Sequence, residues 1–252
     1  NQGKTIKEKE MEKKATREDE IHVIVFPFPA QSHINPMLQF SKQLASRGLR
    51  VTLVTTSSIA TKSTPLNSNS ITIETISDGA IETMAKETFH DQIKRVNEFL
   101  PHSLTQLIER KLKRKDCVRC LVYDSTLTWA INIARKFGVR AAPYFTQSCL
   151  VSLMYYQVHH GVLRAPIEEE TSIGVDGMPV MGARDVPSFV GKTGLFPFLE
   201  RLMFDQFSNC EDADWVFFNS IYSLESKVVD WMASKMPVRT VGPAIPSTYL
   251  DK

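Results

Sequence analysis

Membrane-length hydrophobic runs, a cysteine framework and glycine-rich phosphate loops are all missing from this 252-residue sequence. No apolar stretch approaches the ~20 residues that a spanning helix needs, and the N-terminus is charged where a secretory leader is apolar. Cysteine is sparse, with Cys117, Cys120, Cys149 and Cys210 each in or beside an apolar run. The "CVRC" pair enters a strand pattern instead of opening a helix, and no second pair or spaced histidine completes a metal site. These thiols therefore read as buried or half-buried side chains. The expectation is a soluble, cytoplasmic chain with no metal and no membrane span. A formal net charge of +2 offers no basic face for nucleic acid. There is no G-x-G-x-x-G, P-loop, G-x-S-x-G or H-E-x-x-H, so dinucleotide and ATP readings lack their phosphate loops.

What is present is an ordinary globular composition, 42% hydrophobic, in a chain long enough to bury a large core. Residues 1–20 carry six basic and six acidic side chains and almost nothing apolar, so they are expected to form a disordered charged tail. After it come short apolar runs, "IHVIVFPF", "RVTLVTT" near 50, "ITIETIS" near 71, "CLVYD" near 120, "RAAPYFT" near 140 and "WVFFNS" near 215. Such runs suit parallel strands covered on both faces. Helical spacing fills the gaps. Ile34, Met37, Leu38, Leu44 and Ala45 recur before Gly48, and the longer pattern over 94–115 should break or kink at Pro101. Further helices are expected over 128–138 and 148–161. The alternation specifies an α/β fold, a Rossmann-like doubly wound parallel sheet. Residues 162–214, rich in Pro, Gly and Met, read as a long excursion that shapes a cleft.

Ligands of an open parallel sheet bind beyond the C-terminal ends of its strands. Two polar residues fall there: His33, in "FPFPAQSHINPM", and Asp124, which closes "CLVYD". The positive end of a helix dipole disfavours imidazolium and would keep His33 a neutral acceptor. An Asp at its other nitrogen would fix the tautomer and stabilise the cation formed on proton uptake. The competing readings are a capping or surface histidine and an aspartate that caps the next helix. The adjacent His159 and His160 diverge by about 100° on a helix and make a poor metal pair. Ser148 and Cys149 lack flanking glycines and read as helix-capping and packing residues.

From Ile21 to Lys252 the sequence resembles the N-terminal half of a plant family 1 UDP-glycosyltransferase of the 74-type group. The resemblance rests on "HVIVFPFPAQSHINPMLQFSKQLASRG", "VTLVTT", "ISDG", "LVYDSTLTWA", "APYFTQSC", "NSIYSLE" and "VGPAIPSTYLDK", in that order. It implies the N-terminal domain of a GT-B fold over 21–240, the start of an interdomain linker over 241–252, and no C-terminal donor-binding domain in this sequence. It also implies inverting transfer of glucose from UDP-glucose to a hydroxyl or carboxyl of a small lipophilic acceptor, by a monomer without a cofactor. His33 would be the base and Asp124 its charge partner. Ser32, where glycine is frequent in the family, and Thr146 would meet the donor, while Phe28, Tyr155, Phe189, Phe198 and Met203 would line the acceptor pocket. With most donor contacts missing, a truncated lipophile-binding domain that transfers nothing is the alternative.

Overall fold

The computed structural model describes residues 21–62, 70–80, 87–168 and 172–245. The expected tail at 1–20 and most of the expected linker, 246–252, lie outside the described residues. Seven strands form one parallel sheet: β1 (His22–Phe26), β2 (Arg50–Thr56), β3 (Thr72–Ile76), β4 (Val118–Asp124), β5 (Arg140–Phe145), β8 (Val216–Phe218) and β9 (Val238–Thr240). Their order across the sheet is β3-β2-β1-β4-β5-β8-β9. The sequence reading anticipated all but β9, an edge strand whose Val-Arg-Thr sequence holds one apolar residue.

The strands read as continuous apolar runs because both faces are covered. In β1, Ile24 and Phe26 join a core built with Ile93, Leu100 and Leu104 on one side, while Val23 and Val25 pack with Met37 and Phe40 on the other. A period of two thus produces two cores, one per face. Met37 and Phe40 belong to α1 (Gln31–Ser46). It ends before Gly48, whose φ of +85° only glycine adopts without strain. Short α2 (Ser57–Lys62) follows β2.

The opposite face is covered by α3 (Phe89–Lys113), α4 (Ala130–Lys136), α5 (Cys149–His159) and α8 (Tyr222–Ala233). Thr88 and Asp91 start α3 with a reciprocal capping box. Contrary to the expected break, α3 runs through Pro101 as one 25-residue helix. Its buried face, from Ile93 through Leu100 and Leu104 to Ile108, is apolar on both sides of the proline, and that packing outweighs one lost backbone hydrogen bond. The 162–214 excursion contains an antiparallel pair, β6 (Ser172–Ile173) with β7 (Met181–Gly182), then α6 (Ser188–Gly191) and α7 (Pro197–Asp205). Among the described residues no helix is long and apolar enough to cross a membrane.

Candidate active site

Connections part at the boundary between β1 and β4. From β1 the chain builds outward through β2 and β3, and from β4 it builds the other way through β5, β8 and β9. This is the switch point, where diverging loops leave a crevice at the C-terminal rim. His33 and Asp124 sit on its two sides. His33 lies in the first turn of α1, just after β1, and Asp124 is the last residue of β4.

The two meet directly, with His33 Nδ1 2.6 Å from Asp124 Oδ2. The Asp124 side chain is 1% exposed and that of His33 24%, so the carboxylate is enclosed while the ring remains partly open. Asp124 Oδ1 accepts from the Thr126 amide at 3.1 Å and from the Thr126 hydroxyl at 2.6 Å. Asp124 is therefore committed to His33 and its own turn and does not cap a helix. With Nδ1 engaged, Nε2 is the ring nitrogen left to accept a proton.

The electrostatics depart from the dipole argument. Burial pulls the His33 pKa down, but the charge and hydrogen bond of Asp124 outweigh it and leave the imidazole above its ordinary value. Ala30, the residue before α1, offers no side-chain cap and the first turn holds no acid, yet a carboxylate at hydrogen-bond distance acts far more strongly than a helix terminus.

An aromatic wall rises beside the dyad. Phe28 is buried with its ring 5.5 Å from that of His33, and Phe89 stands 6.4 Å beyond Phe28. His90 meets Phe198 edge-on at 4.4 Å, tying α3 to α7. Gln92 Nε2 donates to the Pro29 carbonyl at 3.2 Å, and Trp129 Nε1 donates to Asn97 Oδ1 at 3.0 Å. A cavity of about 180 Å³ has Thr126, two residues on from Asp124, in its lining with Asn97, Phe198 and Arg201.

The other residues singled out from sequence divide by position. Ser32 is exposed in the first turn of α1, next to His33, and Thr146 is half-buried directly after β5. Phe28, Tyr155, Phe189, Phe198 and Met203 all belong to, or pack against, one apolar cluster. Within it Tyr155 is buried edge-on against Phe204 at 5.6 Å, Phe189 lies on α6, and Met203 Sδ accepts from Gln147 Nε2 at 3.4 Å. Ser148 caps α5 by accepting from the Val151 amide, and Cys149 is buried.

Three residues of the site escaped the sequence reading: Thr126, Phe89 and His90. The Asp-x-Thr spacing at 124–126 was a usable signal, because a hydroxyl two residues on can close on an aspartate. Phe89 is 47% exposed and follows no buried pattern, so nothing local marked it. Glu225 also has an unforeseen position. It leaves helical geometry (φ −132°, ψ 29°) and lays its carboxylate across the N-terminus of α5, accepting from the Cys149 amide at 3.0 Å and the Leu150 amide at 2.8 Å. Ser220 Oγ also donates to it.

Comparison with known proteins agrees with this architecture. The family model described as "Glycosyltransferase, N-terminal domain" matches residues 19–245. The chain is 38% identical over 235 residues to UDP-glycosyltransferase 74E1 of Arabidopsis thaliana, covering 92% of this chain and 52% of that protein. It is 40% identical over 236 residues to a mogroside I-E synthase of Siraitia grosvenorii, covering 91% and 50%. Among solved structures it is similar to Os79 of O. sativa in complex with UDP, with a TM-score of 0.82 at 36% identity, covering 91% of this chain and 52% of that one. The chain thus spans about half the length of the curated relatives it matches. Its sheet is the Rossmann-like domain of a GT-B fold, and the chain belongs to the plant UDP-glycosyltransferase family, matching the N-terminal domain of its members.

Proposed function

We propose that this chain supplies the acceptor-binding, base-bearing domain of an inverting UDP-glycosyltransferase, cytosolic and monomeric. The enzyme moves glucose from UDP-glucose to a hydroxyl or carboxyl of a small lipophilic plant metabolite, such as a flavonoid, phenol, terpenoid or hormone. The observation that carries this reading is the 2.6 Å contact of His33 Nδ1 with Asp124 at the switch point. It leaves Nε2 to take the acceptor's proton while Asp124 stabilises the imidazolium. The acceptor oxygen then bonds to the anomeric carbon as the bond from that carbon to the UDP oxygen breaks, inverting the centre. In-line displacement by one activated oxygen requires neither a metal nor a covalent sugar intermediate.

Phe28, Phe198 and Met203, with Phe89 and His90, form the proposed acceptor wall, and Tyr155 and Phe189 sit in the apolar layer behind it. Ser32 and Thr146 are the proposed donor contacts of this half, at the phosphates and the sugar hydroxyls. A helix N-terminus beside Ser32 suits phosphate. A second reading is a truncated lipophile-binding domain that transfers nothing, resting on the apolar cluster that Phe28 and Tyr155 share with Phe198 and Met203.

One assay separates them: turnover with UDP-glucose and a panel of phenols, terpenoids and carboxylic acids. It is run on this chain alone and fused to the second half of a 74-type relative. Transfer is expected from the fusion, with His33→Ala costing about 10²- to 10⁴-fold on a hydroxyl acceptor and less on a carboxylic acid, which is already ionised. Undiminished transfer by His33→Ala would remove His33 as the base. Acceptor binding without transfer by the fusion would favour the second reading.

A further inference from the structure

Asp124 is fully buried, so its charge is balanced by the few donors that reach it. His33 occupies Oδ2, and both Thr126 groups converge on Oδ1. The hydroxyl contact, at 2.6 Å, is a short bond to an ionised acceptor in a site closed to water. Thr126 also lines that cavity, but its hydroxyl is turned to the carboxylate. Donors on the two oxygens of one carboxylate compete for the same negative charge. A proton on His33 is stabilised by whatever share Thr126 leaves.

We propose that Thr126 is a positioning residue that sets the basic strength of His33. Its amide and hydroxyl hold Oδ1 so that Oδ2 faces the imidazole, and the hydroxyl draws enough charge from Asp124 to keep the ring from being over-held as imidazolium. The catalytic meaning rests on His33 being the acceptor's base. The surroundings leave Thr126 as the adjustable partner. Phe28 faces the ring without charge, Phe89 stands behind Phe28, and Asp124 is the ionised group that bears on the ring among the described residues. On α3, Gln92 and Asn97 are neutral and His90 is turned to Phe198. On α7, Arg201 and Asp205 pair with each other at 3.2 Å along the cavity wall. Ser125 beside Asp124 donates to the neutral Gln206.

The test is a proton–carbon NMR titration of the histidine rings in this chain, with the His33 signal assigned by its loss in His33→Gln. Thr126→Val and Thr126→Ala are expected to raise the His33 pKa by about 0.5 to 1, because the freed charge falls on the imidazole. Thr126→Ser should keep it within about 0.2 of the parent. Asp124→Asn should lower it, since burial is then unopposed. Val and Ala variants that leave the pKa unchanged or lower it, or a Ser variant that moves it as far as Val does, would overturn the proposal. No sugar or acceptor enters this measurement. Failure of transfer in the assay above would remove the functional reading and leave this result standing. A failed titration would remove the role of Thr126 and leave His33 as the base.

Discussion

His22 and His33 bracket the first strand and helix and titrate in opposite directions. His22 is fully buried in β1 with Nε2 2.8 Å from Thr52 Oγ1. Burial first, then the Arg50 and Lys111 cations, push its pKa down to about 4. Unfolded, it binds a proton near its ordinary 6.5, so its stabilising contribution is complete above that value and is lost as pH falls toward 4. For His33, raised by Asp124, the contribution is present below the unfolded value and lost as pH rises through the folded one. Urea unfolding should therefore show His22 costing about 2 kcal/mol between pH 7 and pH 5. His22→Leu should lose correspondingly less stability over that interval than the parent, and equal losses would reject the assignment. The sequence carried His33 and Asp124 because strand ends mark where a doubly wound sheet binds. It did not carry Thr126, since a threonine after a strand-ending aspartate is ordinary turn chemistry until its hydroxyl direction is known.

Between elements, a buried polar cluster holds the start of α3 to the ends of β2 and β3. Asp78 is fully buried and Arg95 6% exposed, paired at 2.8 Å, and Arg95 Nη1 also donates to the Asp78 carbonyl at 2.7 Å. Arg95 grips Glu87 through a second pair at 2.7 Å, while Ser57 and Ser58 both donate to Asp78. Burial raises the Asp78 carboxyl, but these donors more than reverse it, to about 2. The contribution is therefore full above the ordinary carboxylate range and lost only as pH falls toward 2. Arg95→Met, which leaves Asp78 buried without its cation, is expected to cost about 3 to 5 kcal/mol in urea unfolding. A cost below about 1 kcal/mol would show that the pair fastens nothing. Because α3 also carries Phe89 and Gln92, loosening it would disturb the aromatic wall. Long elements were legible where burial repeats with a fixed period, as in α3. Pro101 misled because its local rule is real but is overridden by apolar packing on either side. β9 was missed because Val238-Arg239-Thr240 holds a single apolar residue, whereas the equally short β8 is apolar throughout.

At the scale of the whole molecule, the strand order sets what this chain can hold by itself. The base and the proposed apolar wall draw residues from both sides of the switch point, and Ser32 and Thr146 are the chain's proposed donor contacts. Calorimetry on the unmodified chain should therefore find a lipophilic phenol bound more tightly than UDP-glucose, since apolar burial contributes more than a few exposed polar contacts. The opposite ranking would place the main donor site on this domain. The sheet itself was readable because its central strands, β1, β2, β4 and β5, are buried on both faces; the cleft was not, because residues 162–214 carry no period that fixes how they return. One consequence reaches beyond the dyad. Among the helices that begin at this rim are α1 after β1 and α5 after β5, and the chain has closed the start of α5 with its own Glu225. An anion brought to this rim would be repelled by the carboxylate at α5 and would find no acid in the first turn of α1. Of these two termini, only that of α1 keeps its positive end free of a resident carboxylate.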